Sequence, residues 1–323
     1  MKGRPAYSVV YQTKKGMMIR GSAEDVLQSR LMRRYRGKTQ LIFTSPPFPL
    51  NRKKRYGNLT GDLYAKWLAN FAPLLCEFLT KDGSIVIELG NAWESGRPIM
   101  STLALKSLLG FLEKGGLNLC QQFIAYNKAR LPSPAQWVNI ERIRVKDSYT
   151  HIWWMSKVDR PKADNSRVLK EYSEAMVDLL KSKKYNSGKR PSEHRIGKRS
   201  FLTDNKGAIV SNVLVVSNTN TNDPYVIHCK RRRIAPHPAR MPREIPEFFI
   251  KFLTDPNDIV LDPFAGSNMT GSVSDQLGRR WISIEKKYGY AISSKSRFKR
   301  TSSRRNSNSI SKEGFHQRTC RKR

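Results

Sequence analysis

The chain is short of acidic residues, of cysteine and of long apolar runs. Twenty-six Asp and Glu stand against 60 Lys and Arg, a formal charge of +34 and an isoelectric point near 10.4. So cationic a chain repels itself and attracts polyanions. Its four cysteines (Cys76, Cys120, Cys229 and Cys320) are scattered without a C-x-x-C pair. That argues against a zinc site or a disulfide framework and for a reducing, intracellular setting. No run approaches the roughly 18 apolar residues of a membrane span, and residues 1–11 lack the apolar stretch of a secretory leader. A hydrophobic fraction of 38% across 323 residues still suffices for one sizeable core. The excess charge leaves nucleic acid as the first candidate partner, ahead of other polyanions or a membrane surface.

Several short β-prone runs alternate with helical patterns. Residues 41–44, 84–89, 149–155, 258–262 and 281–285 read as strands. The strand at 84 is set up by a turn at Asp82-Gly83, and residues 63–79, 102–113 and 247–253 carry apolar residues at helical spacing. This rhythm predicts an α/β fold with helices on both faces of a sheet. Between 157 and 233 the pattern weakens into Gly, Asn, Lys and Ser, which suggests an inserted binding lobe or a linker. From 295 to 323 the chain is Ser, Arg and Lys with little apolar content, and a disordered basic tail is expected there. There is no internal repeat.

Two motifs follow strands, where open α/β sheets bind ligands. The first is Ser45-Pro46-Pro47-Phe48. Two prolines fix the backbone and remove two N–H donors. A hydroxyl and a carbonyl there can accept hydrogen bonds from an amino group while Phe48 stacks on the base carrying it. Taken alone, the string reads more readily as a loop that merely ends a strand. The second is Asp262-Pro263-Phe264-Ala265-Gly266-Ser267-Asn268, leading into a helix. Its small residues allow a ligand close to the backbone, and Glu285 lies about 20 residues beyond Gly266, at the spacing of an acidic residue that binds ribose hydroxyls. Only one glycine sits in the tight turn, so a single adenosyl ligand fits better than a dinucleotide. A third stretch, Arg52-Lys53-Lys54-Arg55, supplies cations beside the first motif, suited to phosphates or simply to solvent.

Together these stretches resemble the amino-methyltransferases of restriction–modification systems. Ser-Pro-Pro-Phe is similar to the catalytic motif of the cytosine-N4 enzymes; the adenine-N6 enzymes more often begin with Asp or Asn and end with Tyr. Catalytic motif first and cofactor motif last resembles the permuted beta group. Further similar stretches are 131–134 with Trp137-Val138-Asn139, Arg144-Val145-Lys146-Asp147, Trp153-Trp154 and His237-Pro238-Ala239-Arg240, and the likeness spans roughly residues 5–298.

The resemblance implies a doubly wound, circularly permuted mixed sheet of the S-adenosylmethionine-dependent methyltransferase type. Residues 1–156 would form the catalytic half, 157–233 a target-recognition lobe, and 234–294 the cofactor half. Ser45 and the Pro46 carbonyl, held by Pro47, would bind the cytosine amino group and Phe48 would stack on the ring. Asp262, Phe264, Gly266, Ser267, Asn268, Glu285 and His237 would form the S-adenosylmethionine site, with no metal. Arg52, Lys53, Lys54 and Arg55 would contact DNA. Glu88 matches an acidic position near the family's active site. Where the family often has Gly-Asp touching the cofactor, this chain has Gly21-Ser22. The implied partner is double-stranded DNA inside the cell, modified by a monomer, with a cognate endonuclease as companion in such systems. No cysteine follows a proline, which argues against C5-cytosine chemistry through a Pro-Cys thiolate. Adenine-N6 transfer on the same fold and an inactive DNA-binding relative are the rival readings.

Overall fold

The computed structural model describes residues 7–48, 61–184, 201–217 and 222–298, together with 188, 189, 191 and 195–197. The chain opens with β1 (Ser8–Gln12), β2 (Gly16–Arg20), α1 (Ala23–Gln28) and α2 (Arg30–Arg33). There follow β3 (Thr39–Thr44), α3 (Gly61–Cys76), β4 (Leu79–Gly90), α4 (Leu103–Gly115), β5 (Asn118–Tyr126) and β6 (Tyr149–Ser156). The middle stretch contributes α5 (Glu174–Ser182), β7 (Val213–Val215) and α6 (Pro224–Arg231). The last part is α7 (Glu244–Leu253), β8 (Ile259–Asp262), α8 (Met269–Gln276), β9 (Arg280–Glu285) and α9 (Tyr288–Ser294).

These nine strands form one sheet in the order β1-β2-β9-β8-β3-β4-β6-β5-β7. From β2 to β4 the neighbours are parallel, and β6 runs antiparallel to both β4 and β5. The order accounts for the permuted sequence. β8 and β9, last in the chain, slot between β2 and β3, so the two halves meet along the β3–β8 seam.

The seam is apolar on both faces. In β3, Ile42 joins a core shared with α1, α3 and α4, while Leu41 and Phe43 join a second core with α7 and α8. Leu261 and Val260 of β8 divide in the same way. A strand buried on both sides reads as a continuous apolar run rather than an alternating one, and that is how both strands were legible. β5 was not: its residues are mostly exposed, with Asn118, Gln121 and Gln122 among them. Asp82-Gly83, expected to be a turn, lies inside β4, where the pairing with β3 is irregular between Thr39 and Leu41. The helix expected from 247 begins at Glu244, because Pro246 falls in its first turn, where the missing N–H costs no bond.

Two expected boundaries move. The 157–233 stretch is fused to the body at both ends. The Asp164 N–H donates to the Phe252 carbonyl at 2.8 Å, and β7 extends the main sheet beside β5. The tail expected from 295 starts later, since Lys295–Phe298 is a 3-10 turn. Phe298 stacks on Trp281 at 4.8 Å. Arg297 is only 7% exposed: Nε donates to the Ser267 carbonyl, Nη2 to the Ser267 hydroxyl, and Nη1 pairs with Asp223. The remaining tail lies outside the described residues. Buried charges are expensive unless every group is paired, and Asp223 also caps α6 by accepting from the Tyr225 N–H. Arg297→Leu should therefore lower the unfolding free energy by about 3–5 kcal/mol in urea denaturation; a loss under about 1 kcal/mol would place the pair among inert surface bridges.

Candidate active site

β3 and β8 are parallel neighbours from which the chain departs in opposite directions. β8 leads through α8 to β9 on one side, and β3 leads through α3 to β4 on the other. Loops diverging from such a switch point leave a crevice at the carboxyl ends of the strands. Here it is a cavity of about 640 Å³. Its rims are tied at the base by one buried hydrogen bond, from the Thr44 hydroxyl to Asp262 Oδ1 at 2.8 Å.

One wall comes from the turn after β8. Asp262 also accepts from the Phe264 N–H at 3.1 Å and from the Thr270 side chain. Burial pushes its pKa up to about 6, against the pull of these donors. Gly266 has φ +52, and a Cβ there would stand 3.1 Å from the His237 ring. Glycine thus meets both a left-handed backbone and a close approach. Its N–H donates to Glu285 Oε2 at 2.9 Å, while Oε1 takes the Lys287 N–H at 2.7 Å. Each carboxylate oxygen keeps a free lone pair, and burial lifts the Glu285 pKa. The Phe264 ring leans on Phe71 (5.3 Å) and Trp67 (5.7 Å). His237 sits edge-on to Tyr290 at 4.7 Å with Nδ1 on the Ala239 carbonyl at 2.7 Å. A carbonyl only accepts, so Nδ1 carries the hydrogen. Burial lowers the ring's pKa, leaving it neutral near pH 7 with an accepting Nε2.

The opposite wall is Ser45, Pro46, Pro47 and Phe48 with Glu88. Phe48 is half-buried and rests over Gly90, where a Cβ would come within 2.5 Å of the ring. Glu88, 8% exposed, accepts from the Thr150 hydroxyl at 3.0 Å and hydrogen-bonds with Ser45. Burial raises its pKa above the usual carboxylate range. A buried carboxyl touching a hydroxyl on a ligand cavity can take up or release a proton at that hydroxyl.

A family profile described as DNA methylase, of the N6/N4 methyltransferase type, matches residues 39–296. The chain belongs to this family. The methylase is 42% identical over 297 residues to the type II methyltransferase M.PvuII of Proteus hauseri, covering 91% of this chain and 86% of that one. M.BglII of Bacillus subtilis is 24% identical, over 77% of this chain and 61% of its own. Among solved structures, PvuII DNA methyltransferase (cytosine-N4-specific) superposes with a TM-score of 0.73 at 36% identity, over 91% and 90% of the two chains. The complex of M1.HpyAVI with S-adenosylmethionine gives 0.52 at 22%, over 88% and 98%, a likeness of fold alone.

The methylase gathers on one cavity Ser45, Pro46, Pro47, Phe48, His237, Asp262, Phe264, Gly266, Ser267 and Glu285. Asn268 is a correction. It is wholly buried and off the cavity wall, its amide engaged by Gly271 N–H, the Ser283 hydroxyl and the Tyr11 phenol, so it shapes the turn instead. Arg52, Lys53, Lys54 and Arg55 lie outside the described residues. Sequence reading missed the roles of Trp67 and Thr150. Trp67 also donates Nε1–H to Glu24 at 3.0 Å, on the wall made by Gly21, Ser22 and Glu24. Its only signal was an aromatic pair with Phe71 at i,i+4 on α3, which a plain core helix would also show. Among the described residues no cluster of three His, Cys, Asp or Glu is set to hold a metal.

Gly90→Ala would drive a methyl group into the Phe48 ring. Overpacking of this kind costs about 1–3 kcal/mol. Chemical denaturation should register that loss, whereas an unchanged midpoint would show that the ring does not need to sit on Gly90.

Proposed function

We propose that the protein transfers a methyl group from S-adenosylmethionine to the N4 amino group of cytosine in duplex DNA, as the modifying enzyme of a restriction–modification system. The observation that carries this reading is the Ser45–Glu88 pair on one wall of a cavity whose facing wall is the Gly266–Glu285 turn. The PvuII DNA methyltransferase, 36% identical to this chain, is cytosine-N4-specific, which supports the same target here.

The residues fit an adenosyl ligand. Phe264 offers a ring, Glu285 free lone pairs for ribose hydroxyls, His237 an accepting nitrogen, and Gly266 a backbone that a ligand can approach. When bound, the sulfonium supplies an activated methyl group, and positioning then provides much of the rate. The target base has to leave the stack to reach the cavity, and Phe48 offers it a replacement stacking face. The cytosine amino nitrogen is a poor nucleophile because its lone pair is delocalised into the ring. Hydrogen bonds accepted by Ser45 Oγ and the Pro46 carbonyl make that nitrogen more tetrahedral. As the new N–C bond forms, nitrogen loses one proton. Ser45 receives it while passing its own to Glu88, and the serine ends unchanged. No metal is invoked. The 157–233 stretch is assigned to target recognition and residues 52–55 to phosphates. The enzyme is assigned to act as a monomer on the cell's own DNA, alongside an endonuclease sharing its site.

Ser45→Ala should keep cofactor and DNA binding but lose methyl transfer by about a hundredfold, the scale of positioned proton transfer. Mass spectrometry of nucleosides from expressing cells reads it: N4-methyldeoxycytidine with wild type and little with the variant. N6-methyldeoxyadenosine would move the chemistry to adenine, and full variant activity would remove Ser45 from the reaction.

Glu88 sets the sign of the pH dependence. Its raised pKa means that it takes up a proton at a higher pH than an ordinary carboxylate. Once protonated it cannot take up the proton that Ser45 passes on, so kcat should fall as pH drops through that raised value and hold above it. Glu88→Gln should flatten that acid limb at a low rate; a limb unchanged in the variant would assign it to another group.

A further inference from the structure

Residues 127–148, which join β5 to β6, are far longer than the two to five residues such a hairpin requires. The loop is not slack. Lys146 Nζ donates to the Lys128 carbonyl at 2.8 Å, the Asp147 N–H to the Ser133 carbonyl, and Arg144 Nε to the Pro98 carbonyl at 2.8 Å. Asn91 holds Asp147 at 3.0 Å, and Trp137 packs on Trp93 at 5.5 Å. Yet this braced loop leaves Val145 87% and Leu131 80% exposed. Apolar side chains held out in water on a rigid support mark a surface that another molecule covers.

Position and charge identify the occupant. The feet of the loop, at Asn127, Arg130 and Ser148, lie on the cavity wall. The loop carries Lys128, Arg130, Arg142, Arg144 and Lys146 against Glu141 and Asp147 alone. Leu131 follows Arg130, and Val145 lies between Arg144 and Lys146, so exposed apolar side chains flanked by cations stand next to the feet of the loop, beside a cavity for a single base; this matches stacked bases flanked by phosphates. We infer that this loop is a wedge for double-stranded DNA: Leu131 and Val145 enter the base stack beside the target and hold the gap that the extruded cytosine leaves. The inference rests on the reading of the protein as a cytosine methylase that flips its target.

The test compares two duplexes containing the enzyme's methylation site, once that site has been mapped. They differ only opposite the target cytosine, one with guanine and one with an abasic position. A wedge works against pairing and stacking, so its loss is felt where the target is still paired. The full-length Leu131→Ser, Val145→Ser double variant should lose roughly ten- to a hundredfold in kcat/KM on the paired duplex. On the abasic duplex its rate should stay within about threefold of wild type. Both side chains are exposed, so melting temperature and cofactor binding should match wild type. An equal loss on both duplexes, or none on either, overturns the wedge and leaves the exposed apolar pair to a protein surface. Wild type without activity on either duplex sinks the parent reading, and the wedge with it.

Discussion

The hydrogen bond from Thr44 to Asp262 closes a molecule whose working halves lie at opposite ends of its chain. β3 carries the loop proposed to face the base and β8 the turn proposed for the cofactor. Their parallel pairing brings together residues 218 positions apart. Asp262 holds three donors at once, from Thr44, Phe264 and Thr270, so one buried carboxylate sets the distance between strands and the start of the turn. Burial works against its charge, and the donors oppose that penalty. The arrangement is rigid because releasing any donor would leave a buried carboxylate less satisfied.

From that anchor the cavity walls are built in layers. Glu285 fixes Gly266, and Arg297 fixes Ser267 from behind while pairing with the cap of α6. On the facing side Thr150 of β6 reaches across to Glu88 of β4, and Gly90 makes room for Phe48. Groups that face the ligand are thus each held by a second group that does not depend on it. Such preorganisation matters for methyl transfer, where the rate follows from placing a weak nucleophile in line with an activated carbon.

The charge is distributed to suit this division of labour. The described cavity wall carries the carboxyls of Glu24, Glu88, Asp262 and Glu285 beside the cations Arg130, Arg240, Lys286 and Lys287, so the +34 excess lies outside it. Long-range attraction to a polyanion is therefore separate from the chemistry inside. The β5–β6 loop joins the two regions, with Asn127, Arg130 and Ser148 on the cavity wall and the neighbouring Leu131 and Val145 exposed to solvent.

The sequence by itself determined the elements with strong local signatures. β3, β4, β8 and β9 are apolar runs buried on both faces; the turn at Pro46-Pro47 follows from residues with few backbone options, and that at Gly266 from the one residue free to take a left-handed backbone without strain. The motif residues were legible for the same reason, being rare combinations at strand ends. Tertiary structure decided what depends on partners far away in the chain. Asn268, at the end of the motif, turned inward because the Tyr11 phenol was there to accept from its amide N–H and the Ser283 hydroxyl to donate to its amide oxygen. Arg297 lies in a stretch that reads as solvent-loving tail, yet it is buried because Asp223 and Ser267 satisfy every direction of its guanidinium. β5, largely exposed, is held as a strand by its pairing with β6, and the three-residue β7 by its pairing with β5. Local preference names a residue's options, and the polar partner that meets it on folding selects among them.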